Sequence, residues 1–299
     1  MSTTVAALLE RCRFPSPGLP IDCAVSGGAD SLALLVLASE AGCVVTAFHV
    51  DHGLRDGSEH EGEVVRRAAQ ALGCGFVPLT VECPPGPNLE ARARAARFAA
   101  LPDGVATGHT ADDQAETVVL NLLRGSGIDG AAAIRPGREH PILDLRRAET
   151  EAVVAERGLA VVTDPSNTDP SFRRNRVRHE LIPLMREIAD RDVVPLLARF
   201  AAVTRDEVDL LDQLAGELNE LSIAELRAAP LALRRRAVRR LVRAARATPY
   251  APDLATVERT LAVIDGTVRA TEIGGGFGVR RSAGRLVIVD PSGAPGHVR

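Results

Sequence analysis

Ser26-Gly27-Gly28-Ala29-Asp30-Ser31 stands between a short apolar run, residues 21–25, and a longer one, residues 32–38. The pattern reads as strand, tight turn, helix. Two adjacent glycines let the backbone turn sharply and aim several N–H groups at one point, and the start of the helix adds its positive dipole end. With the hydroxyls of Ser26 and Ser31 alongside, such a nest suits a phosphate or pyrophosphate. The Lys-Ser/Thr ending of a Walker loop is missing, and the spacing is not GxGxxG. A turn that merely needs glycine accounts for the hexapeptide taken alone, so the residues around it decide.

Outward from the loop, strands and helices alternate. The periodicity predicts a strand over 21–25, a helix over 31–41, a buried strand over 43–50 and a helix over 58–72. A strand over 76–81, a helix over 89–100, a short strand over 104–107 and a helix over 111–123 capped by Thr110 follow. This order implies an α/β fold, a doubly wound parallel sheet whose ligands lie at the carboxyl ends of the strands. From about residue 146 the pattern changes to a helix, a short apolar segment over 159–163 and a polar loop over 164–169. Helices then dominate to about residue 265. Residues 231–246 are amphipathic with a basic face, and residues 270–273 and 285–289 read as a small hairpin joined through Gly274-Gly275-Gly276. The expected organisation is a catalytic domain over 1–200 and a smaller, mostly helical RNA-contacting domain over 201–299.

Composition narrows the class. Apolar residues make up 45% and charged ones 25% of 299 residues, as in ordinary globular proteins. No apolar run approaches the roughly 20 residues that span a bilayer, and no signal segment opens the chain, so no membrane partner and a cytoplasmic location are expected. Every basic side chain apart from histidine is Arg. The net charge of −3 argues against a uniformly basic nucleic-acid binder, yet Arg173, Arg174, Arg176 and Arg178 cluster without an acid, as do seven arginines within 231–247. The five cysteines, Cys12, Cys23, Cys43, Cys74 and Cys83, show neither CxxC nor a zinc spacing.

Four further stretches carry chemistry. The second strand runs into His49-Val50-Asp51-His52-Gly53-Leu54-Arg55, which places imidazoles and an acid at a strand's carboxyl end. In Ala93-Arg94-Ala95-Ala96-Arg97-Phe98, Arg94 and Arg97 share a helix face and are suited to gripping a triphosphate or an RNA backbone. Gly108-His109-Thr110-Ala111-Asp112-Asp113-Gln114-Ala115-Glu116-Thr117 clusters carboxylates near a helix start. Acids there gain from the dipole in any protein, but beside a phosphate loop they also suit Mg²⁺ or an ammonium group. Residues 164–178, DPSNTDPSFRRNRVR, join a turn-rich loop to arginines suited to RNA phosphates.

SGGxDS after the first strand resembles the PP-loop of the N-type ATP pyrophosphatases, the adenine nucleotide alpha hydrolase-like fold. The ordered set of motifs over about 21–183 further resembles the tRNA(Ile)-lysidine synthases, with their HV(D/N)HGLR, ARxxRY, GHxxDDQAET…LLRGSG and DPSNxDxxFxRNRxR segments. Phe98 stands where that pattern has Tyr, and His140 where it usually has Arg. The resemblance implies ATP and Mg²⁺ as cofactors. Ser26, Gly27, Gly28, Ala29, Asp30, Ser31 and His49 would hold the nucleotide, with Asp30 on the metal. Asp30, His109, Asp113, Glu116, Arg94, Arg97 and Arg176 would form the catalytic set. The implied reaction adenylates C2 of the wobble cytidine of a CAU-anticodon tRNA(Ile), and free lysine then displaces AMP. Asp113 and Glu116 would select lysine, with Mg²⁺ coordination as their competing role, and His109 would accept the amine's proton. A thiolase of the same loop family and a non-catalytic RNA-binding module are the alternatives. The sequence does not set the oligomeric state, and a homodimer is one arrangement it allows.

Overall fold

The computed structural model describes residues 3–51, 58–81, 89–248 and 250–292, with the backbone alone at a few positions that include Arg94 and Arg97. The chain divides into two compact units, Met1–Thr204 and Arg205–Arg299.

The first unit begins with α1 (Thr3–Leu9) and continues through β1 (Pro20–Ala24), α2 (Ala29–Glu40), β2 (Val44–Asp51), α3 (Ser58–Ala71), β3 (Gly75–Thr80), α4 (Leu89–Ala100) and β4 (Ala106–Thr107). Its sheet has the order β3-β2-β1-β4 with every pair parallel. The chain therefore winds outward from β1 to β3 and then returns to the other side of β1. That reversal opens a crevice at the carboxyl ends of β1 and β4, where ligands of open α/β sheets bind. Residues 26–31 leave β1 there and Gly108 to Thr110 leave β4 there, so topology alone brings the glycine loop and the acidic stretch together.

The helix after the loop is apolar all round, which is the pattern of a helix with no solvent face. Leu32 to Ala38 of α2 are all buried. They pack with Cys23 and Val25 of the first strand region and with Ile142, Leu145, Val153 and Val154. After α5 (Ala111–Leu123), α6 (Gly127–Ala131) and α7 (Arg147–Glu156) comes a short 3₁₀ turn at Pro165–Thr168. Then α8 (Arg173–Arg176) runs through one π-helical segment, Val177–Leu181, into α9 (Ile182–Ala189). The division between the units falls inside the next helix, α10 (Val194–Gly216).

The second unit adds α11 (Ile223–Ala228), α12 (Leu231–Arg246), α13 (Leu254–Asp265) and the antiparallel strands β5 (Ala270–Gly274), β6 (Phe277–Ser282) and β7 (Arg285–Val289), in that order in the sheet. The expected hairpin is thus a three-stranded meander. Gly274-Gly275-Gly276 leads from β5 into β6, and the strand read as its partner, β7, pairs instead with β6. The sequence hid β6 because Phe277-Gly278-Val279-Arg280-Arg281-Ser282 has one fully buried apolar residue, Val279. Leu226, Val238, Leu241, Val242, Val257, Ile264 and Ile273 surround it in this unit's core. The basic face of α12 is largely engaged within the unit: Arg234 pairs with Asp265, Arg235 with Glu258 at 2.7 Å, Arg236 with Asp212 and Arg240 with Glu220. Among the described residues no helix is long and apolar enough to cross a membrane.

Candidate active site

At the glycine loop, the Ser31 hydroxyl donates to Gly28 O at 2.9 Å and accepts from the Ser26 N–H at 3.2 Å, and the Ser26 and Ser31 hydroxyls lie 3.2 Å apart. Gly28 is the extended residue that precedes α2. Gly27 sits at φ +90°, the left-handed region that favours glycine, and a Cβ there would meet Val162 Cγ2 at 2.7 Å. The strand exit on the other side is as close: a Cβ on Gly108 would lie 2.7 Å from Asp30 O. The loop's backbone and the start of the acidic stretch therefore touch directly.

Thr110 precedes α5, and Asp113 closes a capping box on it: Asp113 Oδ2 accepts from the Thr110 N–H at 2.9 Å and from its hydroxyl at 3.0 Å. The other carboxylate oxygen, Oδ1, accepts from Arg147 Nη2 at 3.3 Å and Arg174 Nη2 at 3.0 Å. One turn on, Glu116 is only 1% exposed. It is ringed by Arg178 Nε at 2.6 Å, Arg174 Nε at 2.8 Å and Arg147 Nη1 at 3.2 Å. Asp30 accepts from the Thr150 hydroxyl and lies 3.4 Å from Arg147 Nε. A single guanidinium, from the first residue of α7, thus spans the loop's aspartate and two of the three acids of α5, Asp113 and Glu116. Asp112 turns to the neighbouring arginine, accepting from Arg146 Nε at 3.0 Å and the Arg147 backbone N–H at 2.9 Å.

These pairings set the protonation of the site. Burial works to raise the Asp113 carboxyl, but Arg147, Arg174, the Thr110 N–H and His109 outweigh it and hold it below the ordinary carboxylate value. Asp112 is lowered in the same way, burial being overcome by Arg146 and the Arg147 N–H. Asp30 goes the other way. Its burial raises the carboxyl, Thr150 and Arg147 oppose that without cancelling it, and the charge of Asp113 adds to the rise. Arg147 itself is pushed above the usual arginine value despite its burial, because Asp113, Glu116, Asp30 and Asp112 surround it.

The structure brings together Ser26, Gly27, Gly28, Ala29, Asp30, Ser31, Asp113 and Glu116 of the expected set, with His109 at the entry to the same helix. Arg176 is elsewhere: it is exposed and pairs with Glu180 at 2.8 Å. The arginines on either side of it, Arg174 and Arg178, reach the carboxylates, and being four residues apart on one helical run they share a face. His49 is buried and lines a cavity of about 240 Å³, with its Nδ1 2.8 Å from Val25 O and its Nε2 buried without a hydrogen-bond partner among the described residues. The side chains of Arg94 and Arg97, and residues 52–55 of the strand-end motif, lie outside the described residues. Arg146 and Arg147 are the site residues that sequence reasoning missed. Nothing local marks them, since Arg147 meets Asp30 across 117 residues of chain.

Comparison with known proteins matches residues 2–185 to a PP-loop domain family and residues 221–287 to the TilS substrate binding domain. The chain is 43% identical over 232 residues to the tRNA(Ile)-lysidine synthase of Rhodococcus erythropolis, covering 72% of this chain and 71% of that one. It is 40% identical over 282 residues to the tRNA(Ile)-lysidine synthase of Nocardia farcinica, covering 89% and 87%. In fold it is similar to the U34-tRNA thiolase NcsA of Methanococcus maripaludis, with a TM-score of 0.54 at 15% identity over 68% of this chain and 78% of that one.

Proposed function

Since the chain belongs to the tRNA(Ile)-lysidine synthase family, we propose that it is an ATP-dependent ligase that joins lysine to C2 of the wobble cytidine of a CAU-anticodon tRNA(Ile). The observation that carries this reading is the bridge that Arg147 makes between Asp30 of the loop at residues 26–31 and the buried acids Asp113 and Glu116. The nest of N–H groups and hydroxyls would hold the pyrophosphate part of ATP; the C2 oxygen of the cytidine bonds to the α-phosphorus as the bond from that phosphorus to the bridging oxygen breaks, and pyrophosphate leaves with the electron pair. The amine of lysine then forms the bond to C2, and the C2–O bond breaks with its electron pair on departing AMP.

A half-buried carboxylate beside a phosphate nest fits Mg²⁺, which takes most of its ligands from phosphates and water. Asp30 is the residue that would hold it, and the ion would neutralise charge on the leaving pyrophosphate. Asp113 and Glu116 hold fixed negative charge at a set distance, which favours an amino acid with a side-chain ammonium. The arginines that ring them balance that charge in the absence of substrate.

The thiolase reading needs a reactive thiolate, and the described cysteines do not supply one. Burial pushes Cys12 up to about 12 and raises Cys23, Cys43 and Cys74 as well. The decisive experiment is mass spectrometry of nucleosides after incubating the protein with tRNA(Ile), ATP and lysine. Lysidine together with AMP is expected; AMP-free binding of the tRNA would point to the non-catalytic module. Glu116→Gln is expected to raise the lysine requirement by an order of magnitude or more while tRNA-dependent ATP–pyrophosphate exchange without lysine persists. Loss of that exchange with an unchanged lysine dependence would move Glu116 to the metal.

A further inference from the structure

A cavity of about 670 Å³ opens in the second unit where the end of α12, the start of α13 and β5 meet. Sites that hold small molecules run from about 300 to 1,000 Å³, so there is room for one nucleotide. Arg246 and Arg259 line it, and among the described residues neither guanidinium makes an ion pair with a carboxylate. Arg246 lies flat against the end of β5: a Cβ on Gly274 would stand 3.6 Å from its Cζ, 3.7 Å from Nη1 and 3.8 Å from Nε. Arg259 is held by a hydrogen bond from its Nη2 to Thr256 Oγ1 at 2.9 Å. Two acids share the lining. Asp253 is committed to the start of α13, where it accepts from the Thr256 N–H at 2.7 Å, and Glu272 is exposed. Guanidiniums without an acid of their own suit phosphate oxygens. Next to Ala251 of the lining stands Tyr250, the chain's single tyrosine, 76% exposed and with its N–H donating to the Thr248 hydroxyl at 3.3 Å. A ring left this open adds little to packing. Beside uncompensated guanidiniums it completes the combination that holds single-stranded nucleic acid, a stacking surface for a base and cations for the backbone.

We propose that this cavity receives an unpaired nucleotide of the RNA substrate, with its base stacked on Tyr250 and the flanking phosphates on Arg246 and Arg259. This rests on RNA being the substrate in the reading above, and it adds a second point of contact within the second unit alone. Glu272, in the same lining, is placed to accept a hydrogen bond from an exocyclic amine of the base. A double helix is the wrong ligand, because its bases are already stacked on one another and leave no face for the ring. An unpaired nucleotide, of the kind that tRNA presents in its loops and at its 3′ end, can offer both a free base face and flexible phosphates.

The test uses the tyrosine fluorescence of the full chain, which comes from this ring alone because the sequence has one tyrosine and no tryptophan. The probes are a dodecanucleotide of alternating cytidine and adenosine and the same strand in duplex with its complement. The single strand is expected to quench the emission, after correction for absorbance by the RNA, and the duplex to leave it unchanged. Tyr250→Phe, which keeps the ring, should bind the single strand within about twofold of wild type, and Tyr250→Ala roughly tenfold more weakly. In lysidine formation Tyr250→Ala should raise the KM for tRNA(Ile) and leave kcat within about twofold. Replacing Arg246 and Arg259 together with Ala should lower the slope of log affinity against log salt by roughly 0.7 for each phosphate released. Equal quenching by strand and duplex, or none by either, overturns the proposal on the wild-type protein alone, whatever the variants do. So does a Tyr250→Ala protein that binds the single strand with wild-type affinity. Quenching by the single strand in a chain that makes no lysidine from tRNA(Ile), ATP and lysine upholds this site and overturns instead the reaction read above.

Discussion

Glu116 is only 1% exposed, and three guanidiniums share its carboxylate. Removing one partner of a buried pair leaves the other uncompensated, so Arg147→Ala is expected to lower unfolding stability by roughly 3 kcal/mol. Urea unfolding measures this, and a loss under about 1 kcal/mol would mean that Arg174 and Arg178 suffice. Asp30 invites the opposite experiment. Its folded carboxyl titrates above its unfolded value of about 3.9, so ionising it costs stability as the pH rises above that value. Asp112 and Asp113 titrate below their unfolded value and contribute stability that is present above it and lost as the pH falls through their folded values. Wild-type stability should therefore fall on acidification below about pH 4. Asp30→Asn should gain on the wild type as the pH rises from about 4 to 7, even as AMP formation collapses. A melting-temperature series across that range for both proteins checks the sign.

Between elements, the approach of β4's exit to the first turn of α2 is a tight constraint. A Cβ on Gly108 meets backbone, Asp30 O at 2.7 Å and Ser31 N at 2.9 Å, which has no flexible end to move aside. Gly108→Ala should push the acidic helix off the loop and abolish pyrophosphate exchange, whereas Thr110→Ala, which removes half of the capping box, should cost about 1 kcal/mol of stability. A Gly108→Ala protein with wild-type exchange would show that the two elements need not touch. The loop, α2, α4 and α5 were legible in the sequence because each rests on a local pattern: glycines at a turn, an apolar run, a cap followed by acids. The partners of α5 were not. Arg174 and Arg178 sit in a basic cluster in which no local rule favours them over Arg176, and only the phase of the helical run through Val177–Leu181 chooses. Arg147 is an ordinary first-turn residue until the fold brings α7 beside α2. β6 escaped notice for a related reason, its single buried Val279 giving no alternation to read.

Over the whole chain, a net charge of −3 coexists with arginine as the sole strong base, and the second unit matches a substrate binding domain. Not every arginine of α12 is equivalent there. Arg243 is exposed, whereas Arg240 pairs with Glu220 and reaches Ala215 O at 3.0 Å. Arg243→Ala is expected to weaken tRNA binding and flatten its salt dependence by roughly one counterion. Arg240→Ala should show itself first as a lower melting temperature. Binding isotherms at several salt concentrations, with thermal melts of the same variants, separate the two; an unchanged salt slope for Arg243→Ala would assign that face to another partner. At the site itself, the cations that form ion pairs with Asp30, Asp113 and Glu116 among the described residues are guanidiniums, which do not surrender their protons at any pH a protein survives. Under alkaline conditions the positive side of this electrostatic frame is therefore constant while a free amino acid sheds its own protons. The alkaline limb of the lysine-transfer rate then becomes a titration curve of the incoming nucleophile, read out by a protein whose own cations stay silent.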